Sequence, residues 1–265
     1  MSIIQAVLLG MLQGLTEFLP VSSSGHLVLA RAMMGIDEIP VLFDVVLHIA
    51  TLIVVVWTFR VRIGTLSAAV WRFLRRRSKS QDKEELIFTI RLLEATVVTA
   101  VIGFAVSMAE WRRNPFLVAM MLIVTALILL STLFSKVRGK GMGKRHSLII
   151  GGAQGFGVIP GISRSGITIS TGLLMGMDRK TAGTFSLLLS IPAIMGAALI
   201  SLKSAGDMLE AVPIASLAAG FIAALFIGYG CLRFLLWLIA DGKLWIFALY
   251  LIPIGTWAMV RFMPN

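Results

Sequence analysis

The chain has 265 residues, is 58% hydrophobic and only 14% charged, and has a mean hydropathy of +0.93, which excludes an ordinary soluble domain and predicts an integral membrane protein. Its formal net charge of +11 would suggest nucleic acid binding in a soluble protein, but in a membrane protein it indicates Lys and Arg held in cytoplasmic loops, so we expect no nucleic acid partner. The single cysteine, Cys231, excludes an internal disulfide.

Apolar runs long enough to cross a hydrocarbon core of ~30 Å predict six transmembrane helices. In chain order the predicted elements are a helical hairpin at 3–36, spans at 41–59, 86–109 and 115–135, a second hairpin at 147–177, and spans at 181–202, 211–238 and 244–262. Asp44 and His48 interrupt the first span, and Arg91 and Glu94, three residues apart, interrupt the second and can pair with each other. We predict one all-α polytopic membrane domain over residues 1–265.

The basic residues predict which way the chain crosses the membrane. Sixteen Lys/Arg lie on one side, in the loop 60–85, in the segment 136–146 and at Arg179, Lys180 and Lys243. Five lie on the other side: Arg31, Arg112, Arg113, Lys203 and Arg261. Because positive charge stays in the cytoplasm, both termini are predicted to lie outside.

The sequence repeats itself after 141 residues. Residues 10–37 align without a gap on residues 151–178, and the identities include Gln13 with Gln154 and Ser22 with Ser163. Three spans separate the copies, so the first repeat (1–135) and the second (147–265) are predicted to be inverted in the membrane. Each opens with runs too short to span, which predicts two re-entrant hairpins whose turns meet near the midplane. Irregular backbone at that depth lines a cavity or packs in protein, so these turns mark a site.

The first turn lies in the stretch "QGLTEFLPVSSSGH" (13–26). Gln13 and Glu17 are four residues apart and share a helical face. A carboxylate near the bilayer centre costs ~2.5–3.5 kcal/mol, so Glu17 is expected to have a partner or a task, the alternative being that it meets water at the interface. His26 follows three serines, 22–24, and these groups include the parts of a nucleophile, a base and an orienting group.

The second turn, "PGISRSGIT" (160–168), replaces Ser23 by Arg164. An arginine between Ser163 and Ser165, at the start of a half-helix, offers a planar fork, hydroxyls and free N–H groups, all of which favour phosphate. The alternative is that Arg164 only pairs with Glu17, and both interpretations are compatible in an empty site. Because lipid surrounds the turns, the predicted substrate is a lipid phosphate.

Together the two motifs resemble the paired signatures of the undecaprenyl-pyrophosphate phosphatase family, the bacitracin-resistance proteins of bacterial inner membranes. The similarity extends to "FDVVLHIATLIVVV" (43–56) and "TFSLLLSIPAIMGA" (184–197). The resemblance implies removal of the terminal phosphate from undecaprenyl pyrophosphate, which recycles the lipid carrier for peptidoglycan synthesis. It also implies a bacterial inner membrane, in which the charge pattern predicts both termini to be periplasmic. It also implies a divalent cation, Mg²⁺ or Ca²⁺.

Carried over by position, the resemblance implies catalytic roles for Glu17, Ser23, His26 and Arg164. It implies substrate-binding roles for Gln13, Ser22, Gly25, Ser163, Ser165, Gly166 and Thr168. Ser23 or a water would attack, with Ser22 and Ser24 as alternatives, and His26 would act as general acid/base. Glu17 would also bind the cation, although Gln13 stands where many relatives have a second glutamate.

Inverted repeats with broken helices are also the architecture of secondary transporters. A flippase for a polyprenyl phosphate is therefore the alternative function, in which Glu17 and His26 would couple transport to protons.

Overall fold

The protein is entirely helical in a computed structural model, which describes residues 1–35, 41–108, 114–136, 139, 142–203 and 212–263. Eleven α-helices lie within these ranges: α1 Ile3–Phe18, α2 Ser23–Met34, α3 Val41–Thr58, α4 Arg60–Leu74, α5 Asp82–Ser107, α6 Pro115–Ser131, α7 Lys144–Phe156, α8 Arg164–Leu174, α9 Arg179–Lys203, α10 Ile214–Asp241 and α11 Ile246–Arg261. A 3₁₀ turn, Thr132–Phe134, extends α6.

Five of these helices are long and apolar enough to cross a membrane: α3, α5, α6 with its 3₁₀ turn, α9 and α10. The prediction of a polytopic membrane protein is thereby confirmed. The sixth predicted span coincides with α11, whose 16 residues reach only about 24 Å. Some residues used in the predictions lie outside the described residues. They include Asp37 of the repeat alignment and the basic residues Arg112 and Arg113.

The predicted hairpins are two pairs of short helices, α1 with α2 and α7 with α8. Helix α1 ends two residues before Pro20, because a proline disfavours helical geometry in the residue before it. Pro160 lies in the corresponding break between α7 and α8. In each pair the second helix begins with a serine N-cap, Ser22 for α2 and Ser163 for α8, whose hydroxyl accepts a bond from a backbone N–H.

The basic segment 60–85, predicted as a loop, is largely helical. Leu66 and Ala69 of α4 are buried, and the helix packs against α5 and α3. Near its end, the Arg72 guanidinium donates to both carboxylate oxygens of Asp82, at 2.8 and 2.5 Å. The three charged residues of this helix, Arg60, Arg62 and Arg72, outnumber its two buried apolar residues, and the charges of the segment 60–85 therefore dominated the prediction.

Glycines let the first helix of each pair approach a long helix closely. A Cβ atom on Gly10 would lie 2.3 Å from the Gly220 carbonyl oxygen of α10. A Cβ atom on Gly151 would lie 2.6 Å from the Ala95 carbonyl oxygen of α5. Gly10 with Gly14, and Gly151 with Gly155, have the small-xxx-small spacing that lets two helices pack closely.

The charges of the second span also belong to this packing. Arg91 donates to both oxygens of Glu94, at 2.8 and 2.9 Å, which confirms the predicted pair. Glu94 additionally accepts a bond from the Ser147 hydroxyl at 2.7 Å. The carboxylate therefore ties the start of α7 to α5.

Replacing Gly151 tests this close contact. Gly151→Val is expected to reduce the free energy of unfolding by about 2–3 kcal/mol, since the new side chain would collide with backbone. Gly152→Val is the matched control, because its Cβ atom would meet only Ile102 Cδ1 at an ordinary 3.5 Å. Thermal unfolding of both variants in detergent measures the difference, and equal stability would contradict the packing.

Candidate active site

The breaks between α1 and α2 and between α7 and α8 contact each other directly. The Ser22 hydroxyl accepts bonds from the backbone N–H of Gly161, at 3.1 Å, and of Gly25, at 3.3 Å. The Ser165 hydroxyl donates to the Phe18 carbonyl oxygen at 3.0 Å. A Cβ atom on Gly25 would lie 3.0 Å from Gly161 Cα, so a glycine is needed where the two turns approach.

Both second helices start at this junction. Ser22 has a left-handed φ of +71°, which only a few per cent of non-glycine residues adopt. Ser163 has ordinary extended geometry and accepts a bond from the Gly166 N–H at 3.1 Å. The first N–H groups of a helix have no partner inside it and attract anions, so two helix N-termini converge where phosphate binding was predicted.

Glu17 has partners from both halves of the chain. The carboxylate is buried and accepts bonds from Gln13 Nε2 at 3.0 Å and Ser23 Oγ at 2.6 Å. Its other oxygen forms an ion pair with the Arg164 guanidinium. The structure therefore brings together four of the predicted site residues, and the interpretation that Glu17 simply meets water at an interface is wrong.

A cavity of about 440 Å³ lies beside this cluster. Its polar end is formed by Glu17, Ser163, Arg164 and the serines 22–24. Its apolar wall comes from the start of α3 and the second half of α9, with the residues Val41, Val45, Ala193, Ile194, Ala197 and Ala198. The cavity thus combines an arginine and several hydroxyls with apolar side chains, a lining that suits a lipid phosphate.

His26 is not brought to Glu17. Its Nδ1 atom lies 2.8 Å from the Ser22 carbonyl oxygen and its Nε2 atom 2.9 Å from the Tyr250 hydroxyl. The imidazole stacks on the Tyr250 ring with centroids 5.7 Å apart, and His26 is absent from the cavity wall. Both ring nitrogens are therefore already bonded, and the contact of His26 with the site runs through the Ser22 backbone.

The remaining predicted binding residues support the turns from behind. Gly25, Ser165, Gly166 and Thr168 do not line the main cavity. Thr168 donates to the Arg164 carbonyl oxygen at 2.7 Å and contacts the Ser186 hydroxyl of α9. Thr168 thereby supports the backbone at Arg164, and none of the four residues reaches the lining of the main cavity.

Several cavity residues were not predicted as site residues. His48 Nε2 lies 3.8 Å from Glu17 Oε2, and its Nδ1 lies 2.8 Å from the Asp44 carbonyl oxygen. The sequence did mark Asp44 and His48, because they are the polar residues that interrupt the first predicted span. Gln154, which also lines the cavity, is the repeat counterpart of Gln13.

The protein groups fit a cation only together with a ligand. The described residues contain no group of three or more His, Cys, Asp or Glu that could hold a metal ion. Asp44, the other carboxylate at the cavity, is paired with Arg31. Mg²⁺ commonly binds through one or two carboxylates together with substrate phosphates and waters. Glu17 fits such a site, whereas a cage of protein groups alone does not exist there.

The ion pair makes Glu17 and Arg164 interdependent for stability. Arg164→Ala should reduce the free energy of unfolding by about 3 kcal/mol, because it leaves a buried carboxylate without its cation. Adding Glu17→Gln to that variant should recover most of the loss. The control Arg145→Ala removes an exposed arginine and is expected to stay within about 0.5 kcal/mol of the parent. Additive losses in thermal unfolding would contradict the pairing.

Comparison with known proteins agrees with this geometry. The family described as "Bacitracin resistance protein BacA" matches residues 6–257. The chain is 46% identical to an undecaprenyl-diphosphatase of Treponema denticola over 99% of this chain and 98% of the relative. It is 40% identical to one of Desulfosudis oleivorans over 95% and 96%, and 36% identical to one of Desulfatibacillum aliphaticivorans over 97% and 98%. The chain therefore belongs to the bacitracin resistance protein BacA family.

Proposed function

We propose that the protein hydrolyses undecaprenyl diphosphate to undecaprenyl phosphate and inorganic phosphate. This is the activity after which its full-length relatives are named. The observation that carries the proposal is the contact of Arg164, Glu17 and Ser23 at the polar end of a partly apolar cavity. The reaction recycles the lipid carrier for peptidoglycan synthesis and confers bacitracin resistance.

Substrate binding changes the partner of Arg164. The guanidinium N–H groups of an arginine bind carboxylate and phosphate oxygens with the same geometry, so an entering diphosphate competes with Glu17 for Arg164. The N-termini of α2 and α8 add backbone N–H groups on the same side. The diphosphate is thus held by Arg164 and the two turns, while Glu17 keeps its bonds from Gln13 and Ser23.

Glu17 then directs the attacking oxygen. Ser23 Oγ already donates its proton to Glu17 Oε2, so the carboxylate can accept that proton as a bond forms to the terminal phosphorus. The bond from that phosphorus to the bridging oxygen breaks, and undecaprenyl phosphate leaves. With Ser23 as nucleophile, water hydrolyses the phosphoserine in a second step; with water as nucleophile, Ser23 positions it beside Glu17.

His26 was predicted as general acid/base, and we propose that it acts as a positioning residue. Its Nδ1–H holds the Ser22 carbonyl, since a carbonyl oxygen can only accept. Through Ser22 it fixes the strained turn from which the Ser23 hydroxyl projects.

A divalent cation, Mg²⁺ or Ca²⁺, is proposed as cofactor. When bound, it neutralises charge on the diphosphate oxygens during phosphoryl transfer. Glu17 is the residue that would hold it, together with the phosphate oxygens themselves.

The proposed architecture is an inverted repeat with six spans, counting α11, and two re-entrant hairpins. The helix contacts support it, because α1 packs on α10 as α7 packs on α5, and α3 packs on its counterpart α9 as α6 packs on α11. We place both termini on the periplasmic face of a bacterial inner membrane. The cavity lining includes Val41, which lies at the end of α3 farthest from the basic helix α4, and this supports an opening toward the periplasmic side.

Phosphate release from undecaprenyl diphosphate by the detergent-purified protein tests the function. Arg164→Gln is expected to lower kcat about 1000-fold and Glu17→Gln at least about 100-fold, while the exposed control Arg145→Gln keeps full activity. EDTA should abolish release and added Mg²⁺ or Ca²⁺ restore it. A folded wild-type preparation that releases no phosphate with any of these cations would refute the hydrolase.

Ser23→Ala separates the two possible nucleophiles in the same assay. If Ser23 is a covalent nucleophile, Ser23→Ala should lose phosphate release completely. Substrate with a labelled terminal phosphate should then label the wild-type protein and leave the variant unlabelled. Residual phosphate release by Ser23→Ala, with no labelled protein in wild type or variant, would assign the attack to water.

Two variants of His26 distinguish positioning from proton transfer. His26→Ala is expected to lower kcat by about 100-fold, as small misplacements of a reacting group do. His26→Asn keeps an N–H near the Ser22 carbonyl and should recover much of the rate. If the Asn and Ala variants were equally inactive, the acid/base role would be favoured instead.

A further inference from the structure

Three consecutive arginines follow α4. Arg75, Arg76 and Arg77 are exposed, and none of them forms an ion pair within the described residues. Two earlier arginines of the same helix are neutralised, Arg62 by Glu85 and Arg72 by Asp82. The end of α4 is therefore a concentrated positive charge without a carboxylate partner in the part of the chain that the structure describes. We call residues 75–77 the arginine turn.

The arginine turn has a strained backbone. Arg76 has a φ of +53°; its N–H bonds to the Phe73 carbonyl at 2.9 Å, and that of Arg77 to the Arg72 carbonyl at 2.8 Å. This is the helix-ending geometry in which glycine is usually found, because a side chain is unfavourable there. A strained residue that a glycine could replace points to a role for its side chain.

An apolar cavity lies next to the arginine turn. This cavity is an open groove of about 260 Å³, lined by Leu66, Ser67, Val70, Trp71 and Leu74 of α4 and by Thr89 of α5; Trp71 and Leu74 are exposed. The Arg75 guanidinium stands 4.3 Å from the Trp71 ring centroid. Trp71 therefore contacts the arginine turn and also lines the apolar cavity, so the positive charge and the cavity adjoin each other.

We propose that the end of α4 binds an anionic phospholipid of the surrounding bilayer. The arginine turn binds the phosphate, and an acyl chain lies in the cavity beside Trp71. Clusters of basic residues next to a membrane span attract anionic lipid headgroups, and tryptophan favours the headgroup level. A free phosphate would leave the apolar cavity unused, whereas a phospholipid fills both parts. This site is separate from the cavity around Glu17 and goes beyond the hydrolysis proposed above.

Native mass spectrometry of the full-length protein in detergent measures this binding. The probes are phosphatidylglycerol and phosphatidylcholine with identical acyl chains. Wild type is expected to retain phosphatidylglycerol at least tenfold more strongly. The triple variant Arg75→Gln/Arg76→Gln/Arg77→Gln should lose that preference, while its release of phosphate from undecaprenyl diphosphate stays unchanged, which shows that it is folded.

A control variant separates the site from general charge attraction. Lys144→Gln/Arg145→Gln/Lys180→Gln removes the same charge from exposed residues elsewhere and should retain the preference. Equal loss in both triple variants would overturn the proposal.

A second variant tests the cavity independently of charge. Ser67→Trp fills the cavity and leaves the arginines intact, so phosphatidylglycerol retention should fall severalfold. Unchanged retention of phosphatidylglycerol by Ser67→Trp would refute a phospholipid site there. So would a competition experiment on wild type in which equimolar undecaprenyl phosphate displaces the bound phosphatidylglycerol and additional phosphatidylglycerol does not.

Discussion

The ion pair between Glu17 and Arg164 is the interaction on which the site depends. Each partner comes from a different broken helix, and each would be costly to bury alone. Their pairing, with Gln13 and Ser23 on the same carboxylate, fixes how the two halves of the chain meet. Arg164 contacts one carboxylate oxygen of Glu17, and a phosphate oxygen can take the same place at the guanidinium when substrate binds.

Broken helices create a second constraint, since their backbone groups need partners where no water is at hand. The two breaks satisfy each other, Ser22 accepting from Gly161 and Ser165 donating to Phe18. Thr125 of α6 completes this arrangement by donating to the Gly161 carbonyl and accepting from the Ser163 N–H. The polar network therefore holds the two breaks together at the cavity, and Ser22 both bonds to Gly161 and lines the cavity.

The rigid frame around the junction comes from small residues. Gly14 and Gly155 allow α1 and α7 to approach α10 and α5 at backbone distance, and the turns at their ends are positioned accordingly. Larger side chains at these contacts would separate the helices and move Glu17 away from Arg164. The precision that phosphoryl transfer needs is thus provided by packing outside the cavity.

The sequence by itself determined the membrane class, five spans to within a few residues and the two helix breaks, and it selected Glu17, Ser23 and Arg164, which the structure brings into contact. These follow from local rules, since apolar length, proline position and a buried charge are readable along the chain. It did not reveal α4 as a helix, because its charges outnumber its buried positions. Only the tertiary structure decided that His26 faces Tyr250 on α11 while His48 faces Glu17. Which face a helix turns toward a site depends on how helices pack against each other. His26 and Tyr250 lie more than 200 residues apart in the chain, and sequence spacing carries no information on such a contact.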